Sequence, residues 1–173
     1  LYVEMTFAEV MDRKGLDATT EQYGEMFRDS KYRLWHANAG ARRNLNRGIK
    51  APMSGHPDFN IHANDIDFQI ESDFIGLMTP GLPQASNHYA DRVGRVMNYG
   101  DGLYGGMFVC GMYTTGYFES DPRKVVARVK LRATTPVKVD TSAKLSFTGL
   151  TGTAFIQLTG GSPNAALLLG NGD

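Results

Sequence analysis

The feature that most restricts what this chain can fold into is a change of hydrophobic period near Asp121. Before ESDPRKVVARVKL (Glu119–Leu131), apolar residues recur every three or four positions, the spacing of one helix face. After it, TPVKVD, AKLSF and TAFIQL alternate apolar and polar residues, as half-buried strands do. The pattern predicts a mainly α part over 1–121 followed by a short all-β part over 122–173. Charge divides at the same place. From Pro122 onward there are seven Lys or Arg and two acids, which leaves eleven bases and sixteen acids before it. The two parts therefore carry opposite net charges although the whole is neutral.

In the first part, Phe7, Val10 and Met11 line one face of a helix over Thr6–Leu16, with Gly15 as its stop. Thr20 is a candidate N-cap for a second helix, carrying Tyr23, Met26 and Phe27 and running toward Asn38. Ala39–Gly48 reads as a short helix ended by Gly48, and Lys50–Asn64 reads as a loop. Helical spacing returns over Asp65–Met78 through Ile66, Ile70, Phe74 and Leu77. TPGLP breaks it, Gln84–Met97 resumes it, NYGDGLYGG reads as a turn, and Met107–Phe118 as a last apolar helix. The second part reads as three or four short strands: VVARVKLRA, TPVKVDT, Ser142–Phe147 and Thr153–Leu158.

Several functions are disfavoured at this level. The basic residues do not cluster with aromatics, so nucleic acid is not an expected partner. The single Cys110 rules out an intrachain disulfide, and its apolar neighbours in GMFVCGMY place it in a core. No run of about 18 apolar residues suits a membrane span. No secretory leader is visible, and one upstream of Leu1 would fall outside this sequence. His36, His56, His62 and His88 show no familiar ligand spacing, and Ser54-Gly55-His56 lacks the flanks of a nucleophile turn.

Two stretches carry groups suited to chemistry. His62–Gly76 holds Asp65, Asp67, Glu71 and Asp73. On a helix, Asp67 and Glu71 stand one turn apart, where like charges repel unless a cation or a donor-rich group lies between them. The run is a solvated acidic face or a hard-ion site. Met97–Phe108 (MNYGDGLYGGMF) is dense in glycine. It is a loop whose amides approach a ligand, oriented by Asn98, Asp101 and Tyr104, or a closely packed helix–helix turn.

The run WHANAGARRNLNRGIKAPMSGHPDFNIHANDIDFQIESDFIGLMTPGLPQAS, with DRVGRVMNYGDGLYGGMFVCGMY, resembles the ADP-ribosylglycohydrolase family over about residues 1–125. The resemblance implies an all-helical hydrolase, an ADP-ribose-containing substrate and Mg²⁺-dependent cleavage of its glycosidic linkage. It also implies catalytic roles for Asp65, Asp67 and Asp73, and substrate binding by Asn98, Tyr99, Gly100, Asp101, Gly102, Tyr104, Gly105 and Gly106. The metal ligands are not named by it here. The family's two acidic metal-binding runs would lie before Leu1 and beyond Val125, and neither has a counterpart in the sequence. Asn64-Asp65 stands where relatives carry two acids, and Gly94-Arg95 where many carry Gly-His.

VARVKLRATTPVKVDTSAKLSFTGLTGTAFIQLTGGSP resembles the second half of an MCE domain, a small β-barrel of bacterial lipid transport, over about 121–169. That resemblance implies a partial barrel, phospholipid as a partner, and self-association through exposed strand edges. The two resemblances leave three readings: a hydrolase, a lipid-transport module, or a joined chain in which neither activity is intact. They also point to different compartments, the cytoplasm or periplasm for the first and the cell envelope for the second.

Overall fold

The computed structural model describes residues 1–126, 138–140, 142–148, 153–159, 162 and 164–166. The chain forms two compact units, Leu1–Ala127 and Arg128–Asp173, so the division falls just past the position expected at Asp121.

The first unit is helical. Helix α1 spans Tyr2–Lys14, starting one turn before the expected Thr6, and buries Val3 together with Phe7, Val10 and Met11, the three read from the spacing; Gly15 ends it with φ 84°. Helix α2, Thr20–Asp29, is capped by Thr19 and not Thr20. The Thr19 hydroxyl accepts the Gln22 amide, and the Gln22 side chain accepts the Thr19 amide, so two otherwise unpaired amides are satisfied together. Phe7 meets Tyr23 edge-on and lies tilted against Phe27, and these three rings form the α1–α2 core. Burial pushes the Tyr23 hydroxyl up to about 12. Helix α3 spans His36–Asn46 and is followed by a 3₁₀ turn at Met53–Gly55.

The acidic stretch is two helices, α4 (Asp67–Glu71) and α5 (Asp73–Met78), broken at Ser72. The break is held from outside, since the Ser72 hydroxyl donates to Gly106 O and the Cys110 thiol donates to Ser72 O. Helix α6 spans Pro83–Gly94, with proline at its first position, where the missing amide costs nothing. Helix α7 spans Gly100–Gly116 and packs against α4, α5 and α6. NYGDGLYGG therefore leads into the longest helix among the described residues and is not a turn. Its small residues are a packing surface: a Cβ on Gly106 would collide with the buried Phe68 ring.

Helix α8 spans Pro122–Val126. Asp121 accepts the Arg123 amide at 3.0 Å and stands directly before proline, the signature of a helix start. That local signal overrides the β-like alternation of VVARVK at its first two residues.

The expected all-β second part, a partial barrel of three or four strands, is corrected by the structure. The first unit, with most of the described residues, is helical, and Val125 and Val126 of the first expected strand lie in α8. Beyond α8 the described residues contain one antiparallel hairpin, β1 (Ser142–Thr148) with β2 (Thr153–Thr159), registered from Ser142↔Thr159 to Thr148↔Thr153. Each strand finds its partner in the other, and two strands do not make a barrel wall. The rest of VVARVKLRA lies outside the described residues; of TPVKVD, only Lys138–Asp140 are described, as a bridge and turn.

Candidate functional site

The N-terminus of α3 organises the site. The first amides of a helix have no partner within it, and here a side chain from α4 supplies the acceptor. Buried Asp67 accepts the Ala37 amide at 3.4 Å and the Asn38 amide at 3.2 Å. A carboxylate there also meets the positive end of the helix dipole. Glu71, one turn on, accepts the Asn38 side-chain amide at 2.5 Å. The donor-rich group between the two acids is thus the start of α3 itself, and no cation is needed to hold them.

Glu71 is 7% exposed, and burial pushes its carboxyl up to about 8; the Asn38 hydrogen bond opposes this shift and the Asp67 charge adds to it. Among the described residues, its Oε2 and the Asn38 Oδ1 have no hydrogen-bond partner. Both residues line a cleft of about 300 Å³ walled by Tyr2, Tyr32, Trp35, Arg33 and His36, with the Arg33 guanidinium 4.9 Å from the Trp35 ring centre.

His36, which lines this cleft, meets His62 and Asp65 beside it. The His62 Nδ1 lies 2.8 Å and the His36 Nδ1 3.3 Å from the Asp65 Oδ2, and the two imidazoles stand edge to face at 5.6 Å. His36 is exposed, and His62 and Asp65 are partly buried. Their backbones are fixed by two buried asparagines. Asn60 donates to Ala37 O and Met97 O and accepts the His62 amide. Asn98 donates to Ala63 O and Asp65 O and accepts the Phe68 amide. The loop before α4, the start of α3 and the start of α7 are therefore one unit.

The expected site residues separate into distinct roles. Asp65 faces the histidines, Asp67 caps α3, and Asp73 begins α5, where its Oδ1 accepts the following amide at 2.7 Å. Asn98 is fully committed to backbone groups. Tyr99 donates to Pro52 O and lies between His56 and Arg95, whose ring and guanidinium are 5.0 and 4.9 Å away. Gly100, at φ 52°, sits against Asn64, so the glycine-rich segment begins beside the Asp65 loop. Gly102, Gly105 and Gly106 pack against Asn98, Gln69 and Phe68, while Asp101 and Tyr104 point outward on α7. His36 and His62 escape a reading by spacing because they are 26 residues apart and meet only through the fold. The His62–Asp65 pair, three residues apart, is the one local trace of the cluster.

Mg²⁺ prefers six oxygens in near-octahedral array. Asp67 is already engaged by amides, Glu71 is neutral below about pH 8, and Asp65 is faced by nitrogen. The described residues do not fit Mg²⁺.

A second groove, between α5 and α7, is lined by Leu77, Met112, Tyr113, Gly116 and Tyr117 and presents no acid or imidazole. Among the described residues no helix is long and apolar enough to cross a membrane. No family model, curated protein or solved structure matches this chain.

Proposed function

We propose that the helical unit binds an ADP-ribose-type nucleotide sugar in the α3–α4 cleft and hydrolyses its glycosidic linkage at the His62–Asp65 pair. The observation that carries this reading is the 2.8 Å contact between His62 Nδ1 and Asp65, a pair joined through His36 to the aromatic cleft that His36 lines. In the tautomer that donates from Nδ1, Asp65 orients the ring and leaves Nε2 free to take a proton from water. Asp65 then steadies the imidazolium that forms and places negative charge near the oxocarbenium-like sugar. The water oxygen bonds to the anomeric carbon as the glycosidic bond breaks, and the departing group takes the proton back from the imidazolium, directly or through water. Trp35 offers a ring for a base, and Arg33 offers a fork for phosphate. This reading gives Asp67 a positioning role and Asp73 none in the chemistry.

The test is release of ADP-ribose from a modified protein by the full chain, without added metal and with EDTA. His62→Gln and Asp65→Asn should each lower turnover on the order of 10²-fold or more, the scale of general-base catalysis. Asp73→Asn should stay within a few-fold. Absent turnover, or equal losses in all three variants, overturns the proposal.

A further inference from the structure

We infer that His36, His62 and Asp65 form a binding site for a first-row divalent transition ion, Zn²⁺ being the best match. Each offers one ligand atom, and the three atoms lie within 4.8 Å of one another. Zn²⁺ binds imidazole nitrogen and carboxylate oxygen at about 2.0–2.2 Å, which sets ligands of a tetrahedral site about 3.3 Å apart. The His36 Nδ1 is 3.3 Å from the Asp65 Oδ2, and the His62 Nδ1 is 2.8 Å from it. The His36–Asp65 spacing thus already suits the ion, and the His62–Asp65 spacing falls about half an ångström short of it. Two imidazoles and one carboxylate are borderline donors that favour zinc or its neighbours over Mg²⁺. Three protein ligands leave a fourth position for water or a substrate oxygen.

Backbone geometry points the same way. His36 is the one non-glycine residue with positive φ among those described, at 44°. Left-handed backbone costs a side-chain-bearing residue on the order of 1 kcal/mol, and such strain gathers where a side chain must be aimed. Here it occurs at the first residue of α3, the position that brings the imidazole to Asp65. The backbones of two of the residues are held in place, the His62 amide by Asn60 and the Asp65 carbonyl by Asn98.

The site shares side chains with the hydrolytic proposal but stands without it: an ion on His62 Nδ1 replaces the proton donated to Asp65, so zinc should suppress the metal-free hydrolysis. Metal-free full-length chain is dialysed against Zn²⁺ alone or Mg²⁺ alone, and bound metal is counted. The inference expects one Zn²⁺ per chain with low-micromolar affinity and no stoichiometric Mg²⁺. Binding should weaken at least tenfold in His36→Asn and in His62→Gln, with helical circular dichroism retained. His36 is exposed, and asparagine tolerates positive φ, so the first variant keeps the fold while removing a ligand. Zinc binding only at millimolar concentration, or unchanged in both variants, overturns the site. Zinc binding with no hydrolysis by the metal-free chain overturns the catalytic proposal alone, and hydrolysis without zinc binding overturns this one alone.

Discussion

Replacing Glu71 by glutamine isolates the most unusual electrostatic feature of the helical unit. The Glu71 carboxyl is displaced from an ordinary 4.5 to about 8, first by burial. A raised folded-state value means that the stability is fully present below the unfolded value near 4.5 and is lost as pH rises through about 8. At about 1.4 kcal/mol per pH unit, this displacement sets a ceiling of about 5 kcal/mol on the loss. Relaxation of the surroundings around the charged form reduces the expectation to about 2 kcal/mol. Glutamine keeps the oxygen that accepts from Asn38, puts a donor where Oε2 has no partner, and cannot ionise. Urea unfolding followed by helical circular dichroism at pH 5 and pH 8.5 measures the difference. Wild type should lose about 2 kcal/mol more than Glu71→Gln across that window. Parallel behaviour of the two proteins, within about 0.5 kcal/mol, refutes the reasoning.

Asp67→Ala should destabilise the unit by about 2–3 kcal/mol, because two buried amides at the start of α3 lose a charged acceptor. Asp67→Asn should cost about half as much, and a neutral result for alanine in urea unfolding would remove Asp67 as the cap. Gly106→Ala should cost about 1–3 kcal/mol in the same assay, since its methyl meets the fully buried Phe68 ring. Cys110 is buried and its thiol is pushed up by burial, so a thiol reagent should label it only as fast as the unit opens. Rapid labelling of native protein would contradict that packing.

The legible parts of the fold are those decided locally. The apolar face of α1 and its Gly15 stop follow from spacing alone. Other elements depend on partners distant in sequence. The glycines of α7 look like a turn because glycine weakens an isolated helix, yet Phe68, Gln69 and Asn98 need the space they leave. The break at Ser72 is made by Gly106 and Cys110, neither visible from the acidic run. DPRKVV is open to both grammars, and the Asp121 cap with Pro122 favours the helix. At the site, the question of what lies between Asp67 and Glu71 is readable, but its answer, the start of α3, is not. Histidine chemistry is hidden for the same reason: a 26-residue separation carries no periodic signal.

Trp35 is the only tryptophan in the chain, and it lines the cleft, so its fluorescence reports occupancy directly. Titrating the full chain with ADP-ribose should give a saturable change in emission, with one site per chain and micromolar half-saturation. Arg33→Ala should weaken binding about tenfold, the scale of a single charge-assisted hydrogen bond to phosphate. A flat titration up to about 1 mM ligand, a bound on affinity of roughly −4 kcal/mol, would contradict the assignment of this cleft.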